Sequence, residues 1–186
     1  MAAPPTASIL DISGRWLLNR ALSDSTEAFF ALQGIPWIVR KVVNFASLEL
    51  QYERLPPASG STAPRFGYKQ TIRPGGFDTK NEYILDGQAR VDTVPIFGEI
   101  SMRCHYAGGE EVAKQYQTTG LESADEGHAA VVEIVESEVM GWTATSVWGF
   151  EVVGGERRFV KHNTAVKGEK AEKTRLVFDY LGPPQP

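Results

Sequence analysis

The chain has 186 residues, 42% of them hydrophobic and 23% charged, proportions that exclude a disordered chain, a coiled coil and a collagen-like fibre. Nineteen basic against 23 acidic residues leave a net charge of -4, and with it no electrostatic footprint for nucleic acid or an anionic membrane surface. No apolar run approaches the roughly 20 residues of a membrane span. The start, MAAPPTASILDIS, has neither the basic nor the apolar region of a signal peptide, and the one cysteine, Cys104, allows no intrachain disulfide. The expectation is a cytoplasmic protein with one domain over residues 9–181, flanked by frayed proline-marked tails at 1–8 and 182–186.

A first strand is predicted over about Ile12 to Arg20. Asp24-Ser25-Thr26-Glu27 then reads as a capping box ahead of the apolar run Ala28-Phe29-Phe30-Ala31-Leu32, which stops at Gly34. Pro36 opens a second segment in which Ile38, Val39, Val42 and Val43 form an apolar stripe at helical spacing. Two short helices joined by a turn are expected there.

From Ser47 the period changes to two. Leu48, Leu50 and Tyr52 alternate with charged or amide residues, as do Phe66, Tyr68, Gln70 and Ile72. Ile100, Met102, Cys104 and Tyr106 share one face, as do Trp142, Ala144, Ser146, Trp148 and Phe150, and Leu176, Phe178 and Tyr180. Turn residues punctuate these runs at Pro74-Gly75-Gly76, Asp86-Gly87, Gly108-Gly109, Gly154-Gly155 and Lys167-Gly168-Glu169, with a polar connection over Ser123 to His128. The runs amount to about ten strands, joined mostly by hairpins. The expected fold is therefore mainly β. It is a single up-and-down antiparallel barrel, closed to hide its edges and carrying a helix-turn-helix lid between the first two strands.

Ile12-Ser13-Gly14-Arg15-Trp16 resembles the Gly-x-Trp signature of the calycins, the superfamily of lipocalins and intracellular fatty-acid-binding proteins. A strand, two short helices and then strands in sequence resemble its fatty-acid-binding branch. Leu18 to Asp24, Leu32-Gln33-Gly34 and Trp37-x-x-Arg40-Lys41 are also similar to a group of small fungal lipocalin-like proteins. The resemblance implies that Trp16 plugs the closed end of the barrel. Thr174-Arg175-Leu176-Val177 departs from the fatty-acid-binding pattern, since valine stands where the Arg-x-Tyr carboxylate clamp has its tyrosine. Arg175 is left to stack on an indole or to meet an anionic ligand.

The candidate ligand wall is the aromatic face: Tyr52, Phe66, Gln70, Met102, Tyr106, Trp142, Ser146, Trp148, Phe150, Phe178 and Tyr180. In Val160-Lys161-His162-Asn163-Thr164, either Lys161 and Asn163 or His162 and Thr164 face inward. His162, Tyr68 and Lys161 are the candidate catalytic groups, and Asn163 a ligand contact. His105, His128 and His162 are scattered, so no metal site is expected. Cys104 reads as a small buried hydrophobe. No phosphate loop, nucleophile elbow or dinucleotide fingerprint occurs, and no cofactor is expected. The expected partner is a lipophilic small molecule, with no nucleic acid and no membrane span; a homodimer stays open. Two functions fit: a cofactor-free isomerase or cyclase, of pericyclic type, acting on a natural-product intermediate, or a non-catalytic carrier of a lipophilic ligand.

Overall fold

The structure, a computed structural model, describes residues 1–74, 78–94, 97–124 and 127–185. Ten strands form one antiparallel sheet: β1 (Gly14–Leu18), β2 (Ser47–Leu55), β3 (Arg65–Arg73), β4 (Thr79–Ile84), β5 (Arg90–Val94), β6 (Gly98–Gly108), β7 (His128–Ser137), β8 (Trp142–Val153), β9 (Glu156–Lys167) and β10 (Lys170–Gly182). Their order is β4-β3-β2-β1-β10-β9-β8-β7-β6-β5, so the first and last strands pair in the middle and the sheet curls round them.

The curl does not close by backbone bonding. Among the described residues no ladder joins β4 to β5; instead Asn81 Nδ2 donates across the gap to Asp92 Oδ2 at 3.4 Å. The expected closed barrel is therefore open along one seam, whose charged residues Lys80, Glu82, Arg90 and Asp92 discourage pairing with another chain. The Asp86-Gly87 turn belongs to this seam and is not a hairpin, because the strands on either side of it are unpaired. Gly154-Gly155 and Gly168-Glu169 are two-residue hairpins, with Val153 opposite Glu156 and Lys167 opposite Lys170. Gly75 and Gly76 of the expected Pro74-Gly75-Gly76 turn, and Asp125 and Glu126 of the expected polar connection, lie outside the described residues.

Helices α1 (Glu27–Leu32) and α2 (Trp37–Phe45) occupy the predicted place between β1 and β2. The predicted capping box does not form. Thr26 is the N-cap, but its hydroxyl donates to Asn44 Oδ1 at 3.1 Å and caps no backbone N–H, while the Asp24 carboxylate accepts the Arg175 backbone N–H at 2.8 Å. A third helix, α3 (Gly109–Gln115), begins where a Gly108-Gly109 hairpin was expected. It covers the outer face of β6–β8, burying Ala107, Ala130, Val132 and Val147 against Val112. Leu22 and Leu121 likewise cover Val153, Val160 and Val177 on the outer face of β8–β10.

Inside, the closed end is packed solid. Trp16 is fully buried, its indole N–H donates to Ile12 O at 3.0 Å, and its ring meets Phe150, Phe159 and Tyr180 at 5.0–5.8 Å. The first residues contact the barrel. Ala3 N–H donates to Arg157 O, Tyr180 N–H donates to Met1 O, and the amino terminus pairs with Asp179. At the other end Gln185 exchanges hydrogen bonds with the Gln51 amide.

Candidate active site

Strand register decides which side chains share the interior. Phe159 must join the floor cluster, so alternation carries Lys161 and Asn163 to the same inner face and turns His162 outward. Cross-strand pairing then stacks the inner wall in rows. Val131, Trp148, Lys161 and Leu176 form one row above the floor; Cys104, Glu133, Ser146, Asn163 and Thr174 form the next.

Lys161 is the centre of this wall. Its Nζ lies 3.8 Å from the centroid of the Trp148 ring, 5.6 Å from that of Tyr52 and 6.0 Å from that of Tyr68. Tyr83 completes the aromatic group, 4.9 Å from Trp148 and 5.3 Å from Tyr68. Lys161 is 7% exposed, and no carboxylate of the described residues lies within ion-pair distance of it. Burial drags its pKa down from 10.5 to about 8, with Glu133 pulling the other way. It therefore remains mostly cationic at neutral pH.

Glu133 was missed by sequence reasoning, although a signal existed: it is the one carboxylate inside the otherwise apolar stretch 129–135. Burial raises its pKa, and Lys161, Tyr83 and the Trp148 indole lower it again. Trp148 Nε1 leans toward the carboxyl without completing a hydrogen bond, and the buried Tyr52 hydroxyl is also unpartnered. Glu133 is deep enough to feel desolvation yet keeps accessible surface, as do Tyr68, Met102, Tyr106 and Ser146 on the same inner face. All five stand on the inner face of the sheet by strand alternation.

The remaining predicted residues divide by height. Ser146 Oγ bonds the Asn163 side-chain oxygen, and Asn163 Nδ2 donates to the carbonyls of Lys161 and Thr174 at 3.2 and 3.3 Å. The Tyr68 hydroxyl donates to Gln70 Oε1 at 2.8 Å, and burial raises its pKa. Met102 and Tyr106 pack against the core from the same interior face. Phe66, Phe150, Phe178 and Tyr180 belong to the packed core around Trp16 and Trp148, which corrects the expectation that they line open space. Trp142 sits toward the rim, 5.0 Å from Phe97, beside an outward recess of about 580 Å³ bordered by Val91, Glu136 and Val139.

His162 is excluded from the interior. Its Nε2 meets Glu151 Oε2 at 3.1 Å on the outer face, where Arg175 Nη1 donates to Glu151 Oε1 at 3.1 Å. Arg175 thus neither stacks on an indole nor reaches the inner face; the cations over indoles among the described residues are Lys161 over Trp148 inside and Lys41 over Trp37 on α2. Cys104, the cross-strand partner of Glu133, is 2% exposed, and burial pushes its thiol pKa up, leaving it protonated and unreactive. Among the described residues no group of acids, histidines and cysteine could hold a metal ion, and no helix is long and apolar enough to cross a membrane.

No protein-family model matches the chain. Two curated relatives align with nearly all of it. The probable pericyclase scpY of Mollisia scopiformis is 30% identical over 185 residues, covering 98% of this chain and 96% of the relative. Pericyclase pydY of an Acremonium species is 28% identical over 186 residues, covering 98% of each. Among solved structures, the fluorescent protein UnaG superposes with a TM-score of 0.59 at 14% identity, covering 91% of this chain and 96% of its own. Fatty-acid-binding protein 1 of Echinococcus granulosus gives 0.55 at 12% identity, covering 91% and 97%. These likenesses show the calycin fold in its fatty-acid-binding form.

Proposed function

The chain belongs to the family of the fungal pericyclases scpY and pydY, and we propose that it is itself a cofactor-free pericyclase acting on a flexible, mostly apolar polyene that carries a carbonyl. The observation that carries the reading is the unpartnered Lys161 ammonium inside its cage of Tyr52, Tyr68 and Trp148. A concerted ring closure asks little of a protein chemically. The chain must be held with its reacting carbons near contact, and effective molarities for such preorganisation reach about 10⁵–10⁸ M. Aromatic walls supply that restraint, because they bind the polyene without competing for hydrogen bonds.

The second requirement is polarisation. A carbonyl conjugated to the reacting alkene, hydrogen-bonded by the Lys161 ammonium, draws electron density from that alkene and lowers the barrier to attack by an electron-rich diene. In a dry site such a donor is worth far more than in water. Tyr68, held by Gln70, and Asn163, held by Ser146, are the polar positions next to this anchor. His162 has no part in it. The reading includes cytoplasmic residence and one domain spanning the barrel.

The test is a linear ketone carrying a tethered diene and an alkene conjugated to the carbonyl, incubated with protein and followed by chiral chromatography. Acceleration over buffer toward one stereoisomer is expected, with Lys161→Met losing about 10²–10³ of it, as for removal of one oxyanion donor. Binding of the ketone with the buffer rate and the buffer product ratio would leave only carriage of a lipophilic ligand.

A further inference from the structure

We propose that the same cavity also moves a proton, with Glu133 as the base and Lys161 as the holder of the resulting oxyanion, so that a β,γ-unsaturated ketone is converted into its conjugated isomer before ring closure. The proposal rests on the reading that the cavity takes a carbonyl-bearing polyene, and it extends that reading to a second reaction.

A pericyclic step shifts electrons around a ring and transfers no proton. Lys161 and the aromatic walls satisfy what it needs, and Glu133 is then left without work. Nor does Glu133 serve the fold. No ion pair holds it, the Tyr83 hydroxyl is the one group turned toward it that favours its charge without a cation, the Trp148 N–H beside it completes no bond, and its cross-strand neighbours on the inner face are the Cys104 thiol and the Ser146 hydroxyl, the latter engaged with Asn163. It keeps accessible surface on the cavity side. A carboxyl and an ammonium thus stand on one wall, on β7 and β9 with Trp148 of β8 between, close enough to influence each other and too far apart to neutralise each other. That arrangement suits a carbonyl oxygen at the ammonium and its acidic α-carbon at the carboxylate. Pairs of ionisable groups pushed away from their ordinary behaviour in an apolar site mark acid–base work.

The step balances without any further reactant. A Glu133 oxygen takes a proton from the carbon between the carbonyl and the alkene. That C–H bond breaks, an O–H bond forms on Glu133, and the electron pair moves to the carbonyl oxygen, which accepts a hydrogen bond from Lys161. The pair then returns through the dienolate to the γ-carbon, which takes the proton from Glu133. Nothing is oxidised or reduced; the carboxylate is restored, and the product is an isomer whose alkene is conjugated with the carbonyl.

The probe is allyl naphthyl ketone, whose conjugated isomer absorbs differently, run in D₂O so that deuterium entering the product is read by mass spectrometry. Wild type is expected to accelerate isomerisation over buffer. Glu133→Gln should lose about 10²–10⁴-fold in rate, the usual worth of a general base, with its fold intact by circular dichroism. Glu133→Asp should recover part of the loss, and His162→Ala, on the outer face, should leave the rate unchanged. Wild-type isomerisation no faster than buffer, or a Glu133→Gln variant as fast as wild type, would overturn the proposal. Cyclisation of the tethered-diene ketone by wild type, with no isomerisation of the allyl ketone, overturns this inference alone; isomerisation of the allyl ketone, with no cyclisation of the tethered-diene ketone, overturns the pericyclase reading alone.

Discussion

The ammonium of Lys161 is held against the face of Trp148, its cross-strand neighbour, at 3.8 Å, and by no carboxylate at contact distance. A desolvated cation–π contact is worth about 2 kcal/mol, whereas removing an ammonium from water costs several kcal/mol. Its pKa falls from 10.5 to about 8 because burial outweighs the opposing pull of Glu133 and Cys104, a net cost to the charged form of about 3 kcal/mol at 1.36 kcal/mol per pKa unit. That expense to the fold is what the role proposed for Lys161 above accounts for.

Replacing Lys161 by Met, an unbranched side chain of similar length, should therefore stabilise the protein at neutral pH by roughly 1–3 kcal/mol. Between about pH 8 and 10.5 the unfolded chain still holds the proton that folded Lys161 has released, so this group makes wild-type stability rise with pH across that window. The Met variant should lack that rise. Urea unfolding of both proteins on either side of pH 8 checks it, and a variant less stable than wild type at neutral pH would refute it.

Glu133 raises the Lys161 pKa through its charge, so Glu133→Gln should push Lys161 below its value of about 8. NMR titration of the lysine side-chain resonances reads this directly. An unchanged Lys161 titration would mean that the two groups do not share one wall. Glu133 contributes a pH effect of its own. Its folded pKa lies above 4.5, so the stability it gives is complete below that value and is lost as pH rises through the folded pKa; the Gln variant should show no such loss.

Gly14 is the glycine of the Gly-x-Trp signature, and its place is dictated by space. Its φ is +153°, and a Cβ there would lie 2.6 Å from the Tyr180 ring. Gly14→Ala should cost about 1–3 kcal/mol in backbone strain and a similar amount in overpacking. A denaturant midpoint equal to that of wild type would show that the floor is looser than this geometry.

Trp16→Ala empties a fully buried aromatic site beside Phe150, Phe159 and Tyr180 and should cost about 3–5 kcal/mol. The floor lies below the Lys161 row, so a variant still folded at low temperature should keep its affinity for a naphthyl ketone. Fluorescence titration measures that affinity, and its loss would mean that the cavity extends down to the floor.

Much of the site was legible residue by residue, and some was not. Lys161, Tyr68, Tyr52 and Trp148 were readable because each stands in a run alternating with period two. The sequence left Lys161 and His162 as alternatives for the interior, since they are adjacent and polar, and alternation alone does not say which face turns in. Glu133 escaped because Ala129–Val132 and Val135 around it are apolar on both faces, which hides the alternation. The cause is α3, which buries Ala130 and Val132 from outside while Val131 packs inside. The helix itself was concealed by Gly108-Gly109, a pair that serves a hairpin and a helix start equally well.

The sequence by itself determined the number of strands, the helix pair after the first strand, the buried Trp16 and the two faces of the long strands other than β7, because these follow from short-range periodicity and turn chemistry. Only the tertiary structure decided that Lys161 and Glu133 share the inner face while His162 and Arg175 share the outside. That choice depends on which face of β9 the Phe159 floor contact claims, and on the pairing of β7 with β8 and β8 with β9. Both are contacts between residues far apart in the chain, and a local pattern that reads the same with its faces exchanged cannot express them.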